Sequence, residues 1–573
     1  MISLFVKKGY RANGRIFLSI VKAYREADTK KNKHKLIKRL GYLDELQELY
    51  DDPIAHFTEL AKQMTEEEKK TQTLELTIDN QEFMSTGTDD IKNIGFAVLS
   101  KIYHELGINK FLINRERGLK AKYPLNNIMK LLVYDRILHP SSKLSTYENR
   151  ASYVENFDFP LESLYRSLTI FAKHKDNLLR DIHENICMNY GRDTSNVFYD
   201  VTNYYFHTEE ETSLIAKGMS KDRKGKPIVQ MGLLMDKNGL PITYELFRGN
   251  TTDYETLLPV LSKLKENYNL KRAIVVADKG LNSGSNKAYN IIKGDGYIFS
   301  KSIRGTKSDK EFKNYVLDEE GYRYLGENYK IKSRVYPTLI TVKDKNDKPV
   351  KVEIDEKHIV FYSEKYAKRT KALRDKTIAK AMHLITSKSR YTKAENYGAM
   401  KYIKGMKLDT TTGELKVSKN VIPVLNTELI EEEEKYDGYY SIVTSELDMP
   451  DEEVIEKYRG LWKIEESFKI TKTQLKSRPV YLKTQDHIEA HFLSCFLSLL
   501  ILRVLETKIN RKYSIKDIVT SLQKSNVDLL EMNKYKAVYY DEILKELDEC
   551  IGTSLGKRYL TLSEIKKMIS ETK

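Results

Sequence analysis

The chain has 573 residues, with 97 Lys plus Arg against 82 Asp plus Glu, a formal charge of +15 and 40% apolar residues. That length supports several packed cores. With 31% charged and 10% aromatic residues, the composition excludes a disordered polyampholyte and a membrane protein.

The N-terminus carries a short apolar stretch before Lys7 and Lys8, with no cleavage site, so no secretory route is expected. Cys187, Cys495 and Cys550 lack CxxC spacing. Reduced thiols in a cytosolic compartment are expected, with no disulfide framework and no zinc site. Residues 1 to 40 hold twelve Lys or Arg and only Glu26 and Asp28, so most of the net charge is N-terminal. Such a cluster attracts phosphate backbones by counterion release, although a basic face is also an ordinary solvated surface.

In chain order, residues 15 to 24 are β-branched and aromatic, a polar link runs from Asp28 to Lys33, and His34 to Leu40 resumes. This predicts a β-hairpin with a basic face. From about 76 to 190 the apolar spacing is helical, in Ile94 to Leu106, Leu125 to Leu138 and Leu161 to Ile186. Leu161 to Leu179 has room for a helix-turn-helix pair, or for ordinary helical packing. From 196 the texture changes to strands over Asn196 to Phe206, Ile228 to Met235 and Leu240 to Phe247, the last two joined by an Asn-Gly turn at Asn238-Gly239. A helix over Tyr254 to Tyr268 and a buried strand over Ala273 to Ala277 follow, giving the order β-β-β-α-β. Residues 300 to 437 alternate short strands with turns around one basic helix that holds Lys365, Lys368, Arg369, Lys371, Arg374 and Lys376. That helix is a candidate track for a nucleic-acid backbone. The acidic run Glu431 to Glu434 reads as a solvated loop. Helical character returns at Val454 and persists to about Leu505. The longest apolar run, Phe492 to Leu502, is interrupted by Ser494 and Ser498 and ends at Arg503, short of the roughly 20 residues a bilayer requires.

The chemistry lies in carboxylates. Asp200 stands inside the apolar strand Phe198-Tyr199-Asp200-Val201-Thr202, where an unpaired charge costs several kcal/mol, so something must compensate it. Asp278 follows Val275-Val276-Ala277 directly, at the carboxyl end of a buried strand, where open α/β sheets place their sites. Either alone reads as a cap or a turn residue. Later, Tyr458, Glu465 and Lys472 recur every seven positions, a spacing that drifts only about 20° on a helix and puts all three on one face. Three carboxylates of this kind suit two divalent ions acting on a phosphodiester, magnesium by preference with manganese as a substitute. Tyr458 and Lys472 would then hold the DNA backbone beside them.

These residues carry a resemblance. Tyr199-Asp200-Val201-Thr202, Phe247-Arg248-Gly249-Asn250, Ala277-Asp278-Lys279-Gly280, Tyr297-Ile298-Phe299-Ser300-Lys301 and the segment Tyr458 to Lys472 together resemble the DDE transposases of the insertion-sequence IS4 superfamily, IS1634 branch. The resemblance covers nearly the whole chain. It implies a multidomain α/β protein with an RNase H-like catalytic core, a mixed sheet flanked by helices, interrupted by a largely β insertion. It also implies Asp200, Asp278 and Glu465 as catalytic residues and ligands of two Mg2+.

The expected parts are 1–75, a basic β-hairpin region; 76–190, a helical DNA-binding region; 191–300, the first part of the core; 301–437, the insertion; 438–510, the second part of the core; and 511–573, a C-terminal helical region. DNA contacts are expected from Tyr458, Lys472, Trp462, Lys368 and Arg369. For Trp462 the choice is between stacking on an extruded base and a core position beside the catalytic strands. The family places an arginine that usually contacts an end phosphate three residues after the tyrosine; this chain departs from the pattern there, with Leu461. Glu466 is the alternative acid, but Glu465 keeps the seven-residue steps.

The implied reaction is hydrolytic nicking at element ends, then attack of the freed 3′-hydroxyl on target DNA, with a hairpin intermediate in some relatives. The expected partners are double-stranded DNA at terminal inverted repeats and target sites, and a second copy of the chain, because two ends must be paired. End recognition is assigned to residues 1 to 190, in a bacterial or archaeal cytoplasm. The alternatives are a metal-dependent RNase H-like nuclease and a catalytically silent DNA-binding protein. A dehalogenase-like phosphatase is set aside because Val201 and Thr202 follow Asp200 where a DxD motif needs a second acid.

Overall fold

The computed structural model describes residues 4–11, 14–25, 32–70, 83, 86, 89–120, 123–218, 226–268, 272–304, 309–344, 346–386, 397–408, 415–417, 422–530 and 533–573. They form two compact units, residues 1–88 and 89–573. In the first, strands β1 (Leu4–Tyr10), β2 (Ile16–Arg25) and β3 (Asn32–Tyr42) make an antiparallel sheet in the order β1-β2-β3. Helices α1 (Leu43–Gln47) and α2 (Pro53–Lys70) follow. Leu4, Leu18 and Ile20 alternate onto one face and bury against Leu46, Phe57 and Ala61. The predicted hairpin is present as β2 and β3, with β1 added before it. Most of its polar link, residues 28 to 31, and the 75/76 boundary lie outside the described residues.

The second unit opens with β4 (Ile91–Asn93) and helices α3 (Phe96–Glu105), α4 (Ile108–Arg117), α5 (Leu125–Leu138), α6 (Lys143–Glu148) and α7 (Leu161–Tyr190). Helix α7 runs unbroken for 30 residues, which removes the helix-turn-helix pair. Its inward residues Leu164, Leu168, Phe171, Leu178 and Ile182 keep one continuous stripe, and no turn residue interrupts it.

Strands β5 (Asn196–Tyr205), β6 (Ile228–Asp236) and β7 (Pro241–Arg248) follow, then helix α8 (Asp253–Tyr268), strand β8 (Ile274–Ala277), helix α9 (Gly284–Ile292) and strand β9 (Gly296–Ser300). The intervening segment holds α10 (Lys310–Leu317), β10 (Arg323–Gly326), β11 (Tyr329–Lys343), β12 (Pro349–Ser363), α11 (Glu364–Thr386) and α12 (Tyr397–Met400). It continues with β13 (Ile403–Lys404), β14 (Met406–Leu408), β15 (Leu415–Val417), β16 (Val424–Leu425) and α13 (Thr427–Glu434). Then come β17 (Tyr439–Thr444), α14 (Asp451–Arg459), α15 (Trp462–Thr473) and α16 (Gln485–Lys508). The chain ends with α17 (Ile515–Lys524), β18 (Asn526–Leu530), β19 (Lys534–Ala537), α18 (Glu542–Ile551), β20 (Tyr559–Thr561) and α19 (Leu562–Glu571).

One nine-stranded sheet organises this unit, in the order β10-β11-β12-β17-β9-β8-β5-β6-β7. Its β7-β6-β5-β8-β9 half has β5, β8 and β9 parallel and β6 and β7 antiparallel to their neighbours, as expected of an RNase H-like core. The insertion departs from expectation in two ways. Strands β10 to β12 extend the core sheet through β17, and a large share of the segment is helical. The acidic run is also helical: Asn426 caps α13 by accepting from Leu429 N. Glu433 is buried, accepting from Tyr402 Oη at 2.6 Å and Lys401 Nζ at 2.9 Å. The C-terminal region, expected to be helical, contributes three strands to a second sheet in the order β20-β19-β18-β4.

A single core joins the sheet to helices α3 to α7 and α16. Among the described residues α16 is the one helix long and apolar enough to cross a membrane, and 94% of its apolar window is buried in this core.

Candidate active site

The decisive geometry is in the strand register. Strands β5 and β8 run parallel with Asn196 opposite Ile274 and Phe198 opposite Val276. Continued two residues past the last pair, the same register brings Asp200 alongside Asp278, which lies just beyond the end of β8. Strand β9 continues the row, because Ala277 pairs with Phe299 and Ser300 follows. Asp278 and Ser300 thus sit at the carboxyl ends of β8 and β9, beside Asp200 in the middle of the longer strand β5.

Asp200 is half-buried, and its Oδ1 accepts from Val201 N at 2.7 Å. Asp278, past the end of β8, is exposed. Its Oδ1 accepts from Ser300 Oγ at 2.7 Å and from Tyr458 Oη at 3.3 Å. The Tyr458 hydroxyl also lies 2.6 Å from that of Tyr440 on β17. Burial, with the neighbouring Tyr440 and Asp278, pushes the Tyr458 phenol well above the ordinary range, and burial raises Tyr440 too. Both phenols stay protonated at neutral pH, as hydrogen-bond donors.

The segment Tyr458 to Lys472 is two helices, a correction to the single helix expected. Helix α14 ends at Arg459 and α15 begins at Trp462. The break falls where Gly460 presses on the Phe198 ring: a Cβ on Gly460 would stand 2.3 Å from Phe198 Cζ. Helix α15 then lies along β5. At its far end Thr471 Oγ1 meets Tyr204 Oη at 2.8 Å, and Lys472 Nζ donates to Thr202 Oγ1 at 2.6 Å. Thr202 shares a strand face with Asp200. Glu465, exposed, lies on α15 between the Phe198 and Thr202 contacts and shares Lys472's helix face. Its neighbour Glu466 is engaged elsewhere, accepting from Arg503 Nη1 at 3.0 Å.

Among the described residues no three His, Cys, Asp or Glu side chains converge closely enough to hold one ion. The donor chemistry fits a divalent metal at the aspartates: half-buried Asp200 in β5 and exposed Asp278 just past neighbouring β8 offer hard oxygens. Glu465 flanks that pair without closing on it.

Trp462 is 51% exposed, so its expected core alternative does not hold. Leu461, at the position of the family's arginine, is buried, and Arg459 is exposed on α14. Lys368 and Arg369 are exposed on α11, where Lys368 pairs with Glu364 at 2.7 Å. Arg374, in the same basic run, is buried on Asp437 at 2.6 Å and belongs to the packing. Helix α11 starts beside Tyr440, since Tyr366 in its first turn meets the Tyr440 ring edge-on at 5.8 Å.

The family model of the transposase DDE domain matches residues 195–501, more than half of the chain and nearly the whole of the segment that carries this sheet. The model of the IS1634 family transposase N-terminal domain matches residues 5–75. The chain belongs to the DDE transposases, in the IS1634 branch. No curated protein matches it. In this transposase, sequence reasoning missed Tyr440. The phenol sits outside the recognised motifs, and only the pairing of β17 with β9, Ile442 opposite Ser300, carries it to Asp278.

Proposed function

We propose that this transposase cleaves DNA at the ends of its element and joins the freed 3′-hydroxyl to target DNA, with Asp200, Asp278 and Glu465 as the catalytic carboxylates. The observation that supports the reading is the parallel register of β5 and β8, which, continued past Phe198 and Val276, brings Asp200 in β5 alongside Asp278 just beyond β8, with α15 along β5. Two Mg2+, or Mn2+ in their place, would be held by these carboxylates and would supply activation of the attacking oxygen and charge stabilisation of the leaving one.

The chain's own residues do the rest. Ser300 and Tyr458 fix one oxygen of Asp278. Lys472, seated on Thr202, brings a positive charge to the face of β5 that holds Asp200, where a phosphate would lie. Trp462 offers an exposed ring one turn before Glu465 on the same helix, placed to stack on a base. Lys368 and Arg369 extend the positive surface along α11 for duplex DNA leaving the site. Pairing of two ends requires at least a dimer in the DNA complex.

The test is incubation of the full chain with duplexes carrying the element's own ends and Mg2+ or Mn2+, comparing wild type with Asp278→Ala. Cleaved and joined products that vanish in the variant are expected. Cleavage without joining would make the protein a nuclease, and binding without cleavage a silent DNA-binding protein.

A further inference from the structure

Among the described residues, the first unit's sheet has a second face on which α1 and α2 do not pack. Helices α1 and α2 cover the side of Leu4, Leu18 and Ile20. On the opposite side the register sets three transverse rows: Phe5, Val21 and Leu36; Lys7, Ser19 and Arg39; Gly9, Phe17 and Tyr42. Lys7, Leu36 and Arg39 are exposed, Phe5, Ser19, Phe17 and Tyr42 half-buried, and Val21 buried. The flanking rows are rigid: His34 meets the Phe5 ring edge-on at 5.2 Å, Phe17 meets Tyr42 at 5.2 Å, and the Arg11 guanidinium lies 5.2 Å from the Phe17 centroid. Lys7 Nζ also donates to His34 Nδ1 at 3.3 Å. The middle row is therefore two cations either side of a small hydroxyl, braced by aromatic rows.

That pattern fits one partner. Three strands span about 10 Å between their outer axes, close to the roughly 12 Å width of the DNA major groove. A guanidinium there pairs with guanine O6 and N7, and a serine hydroxyl serves either donor or acceptor. The edge strand β3 adds exposed Lys33, Lys35 and Lys38; the register puts Lys35 and Lys38 in the rows of Lys22 and Ile20 on the other side of the sheet, and from the edge their long side chains are available to phosphates flanking the groove. We infer that this second face of the β1-β2-β3 sheet enters the major groove of the element-end duplex, and that Lys7, Ser19 and Arg39 read its base edges. The inference rests on the transposase reading given above and assigns end recognition to a surface.

The experiment measures binding of the full chain to an end duplex and to a scrambled duplex of equal length over a salt series, with dimethyl sulfate protection of guanine N7 as the groove-specific readout. Arg39→Ala should weaken end binding at least tenfold, leave scrambled binding within about threefold, and abolish N7 protection at the guanines it contacts. Arg39→Lys keeps the charge without the two-pronged donor, and should lose the preference for ends while keeping the salt dependence. Lys35→Ala should weaken both duplexes equally. Wild-type preference in both Arg39 variants, or an equal loss on both duplexes, overturns the inference, since the face would then be a solvated or purely backbone-tracking surface. If the wild type binds both duplexes alike and neither cleaves nor joins ends, the transposase reading fails instead. Thermal midpoints equal to wild type confirm that the variants fold, as the exposure of Arg39 leads one to expect.

Discussion

At the scale of single residues, the two neighbouring acids on α15 have opposite environments. Glu466 shares the buried Arg503 guanidinium with Glu506, whereas Glu465 stands exposed on the face that leads to Lys472. Glu465→Gln should therefore reduce end cleavage by at least a hundredfold with an unchanged thermal midpoint, and Glu466→Gln should lower the midpoint while retaining cleavage. Gel assays of nicked ends, with thermal melts beside them, check both; the reverse pattern would reassign the carboxylate. Tyr440 yields a finer test. The single proton of Tyr458 points at Asp278, so Tyr440 must donate its own to the Tyr458 oxygen. Tyr440→Phe keeps the ring packing against Phe361 and Tyr366 but removes that donor. Cleavage at saturating DNA should fall about tenfold, or about 1.4 kcal/mol, with DNA affinity unchanged; an unaltered rate would make the phenol pair purely structural. Asp200 and Asp278 stood out in the sequence as acids inside or at the end of an apolar strand, and Glu465 by its seven-residue steps to Tyr458 and Lys472. Tyr440 did not, because a tyrosine on a strand is ordinary until its tertiary partner is known.

At the scale of elements, the buried strands were legible and the helix break was not. Ile274 to Ala277 is an apolar run too short for a helix, and it forms the expected strand. The break after Arg459 is invisible to periodicity because Gly460, at φ −56° and ψ −16°, and Leu461, at φ −57° and ψ −25°, keep right-handed helical dihedrals. The seven-residue phase therefore survives the interruption. Close approach is what requires glycine at 460, so Gly460→Ala should push α15 off Phe198, costing about 1–3 kcal/mol by overpacking. Thermal melts and the cleavage rate should fall together. A different contact ties the insertion strand β12 to the core. Glu356 on β12 accepts from Lys287 Nζ at 2.6 Å and from Tyr297 Oη at 2.8 Å, with His358 Nε2 at 3.0 Å. Burial pushes its carboxyl up, but the His358 hydrogen bond and the Lys287 ammonium outweigh it and hold the value down at about 2. A folded value below the ordinary 4.5 means stability that is present above pH 4.5 and lost as pH falls toward 2. Denaturation followed across that range should show the acid limb in wild type. Glu356→Gln should flatten it and, by stranding Lys287, cost about 3–5 kcal/mol at pH 7.

At the scale of the whole molecule, charge was the most legible property and its partition the least. The basic N-terminal forty residues and the basic run from Lys365 to Lys376 look alike as sequence, yet they differ in kind. The first lies on a sheet with an aromatic-braced face; the second is a helix starting beside Tyr440, one of whose cations, Arg374, is consumed by packing. Lys365, Lys368 and Arg369 remain exposed on that helix. Surface pairs such as Lys368 with Glu364 are worth at most about 1 kcal/mol, so exchanging the carboxylate for a phosphate costs little. Helix cations of this sort contact backbone, without reading bases. The triple substitution of Lys365, Lys368 and Arg369 to Gln should therefore weaken binding to end and scrambled duplexes alike. It should also reduce the slope of log affinity against log salt by about 0.9 for each phosphate left without its cation, a change of about 2 to 3. Anisotropy titrations from low to physiological salt measure both quantities. A weakening confined to the end duplex would mean that α11 discriminates sequence, and an unchanged slope would mean that DNA leaves the carboxylates by another path.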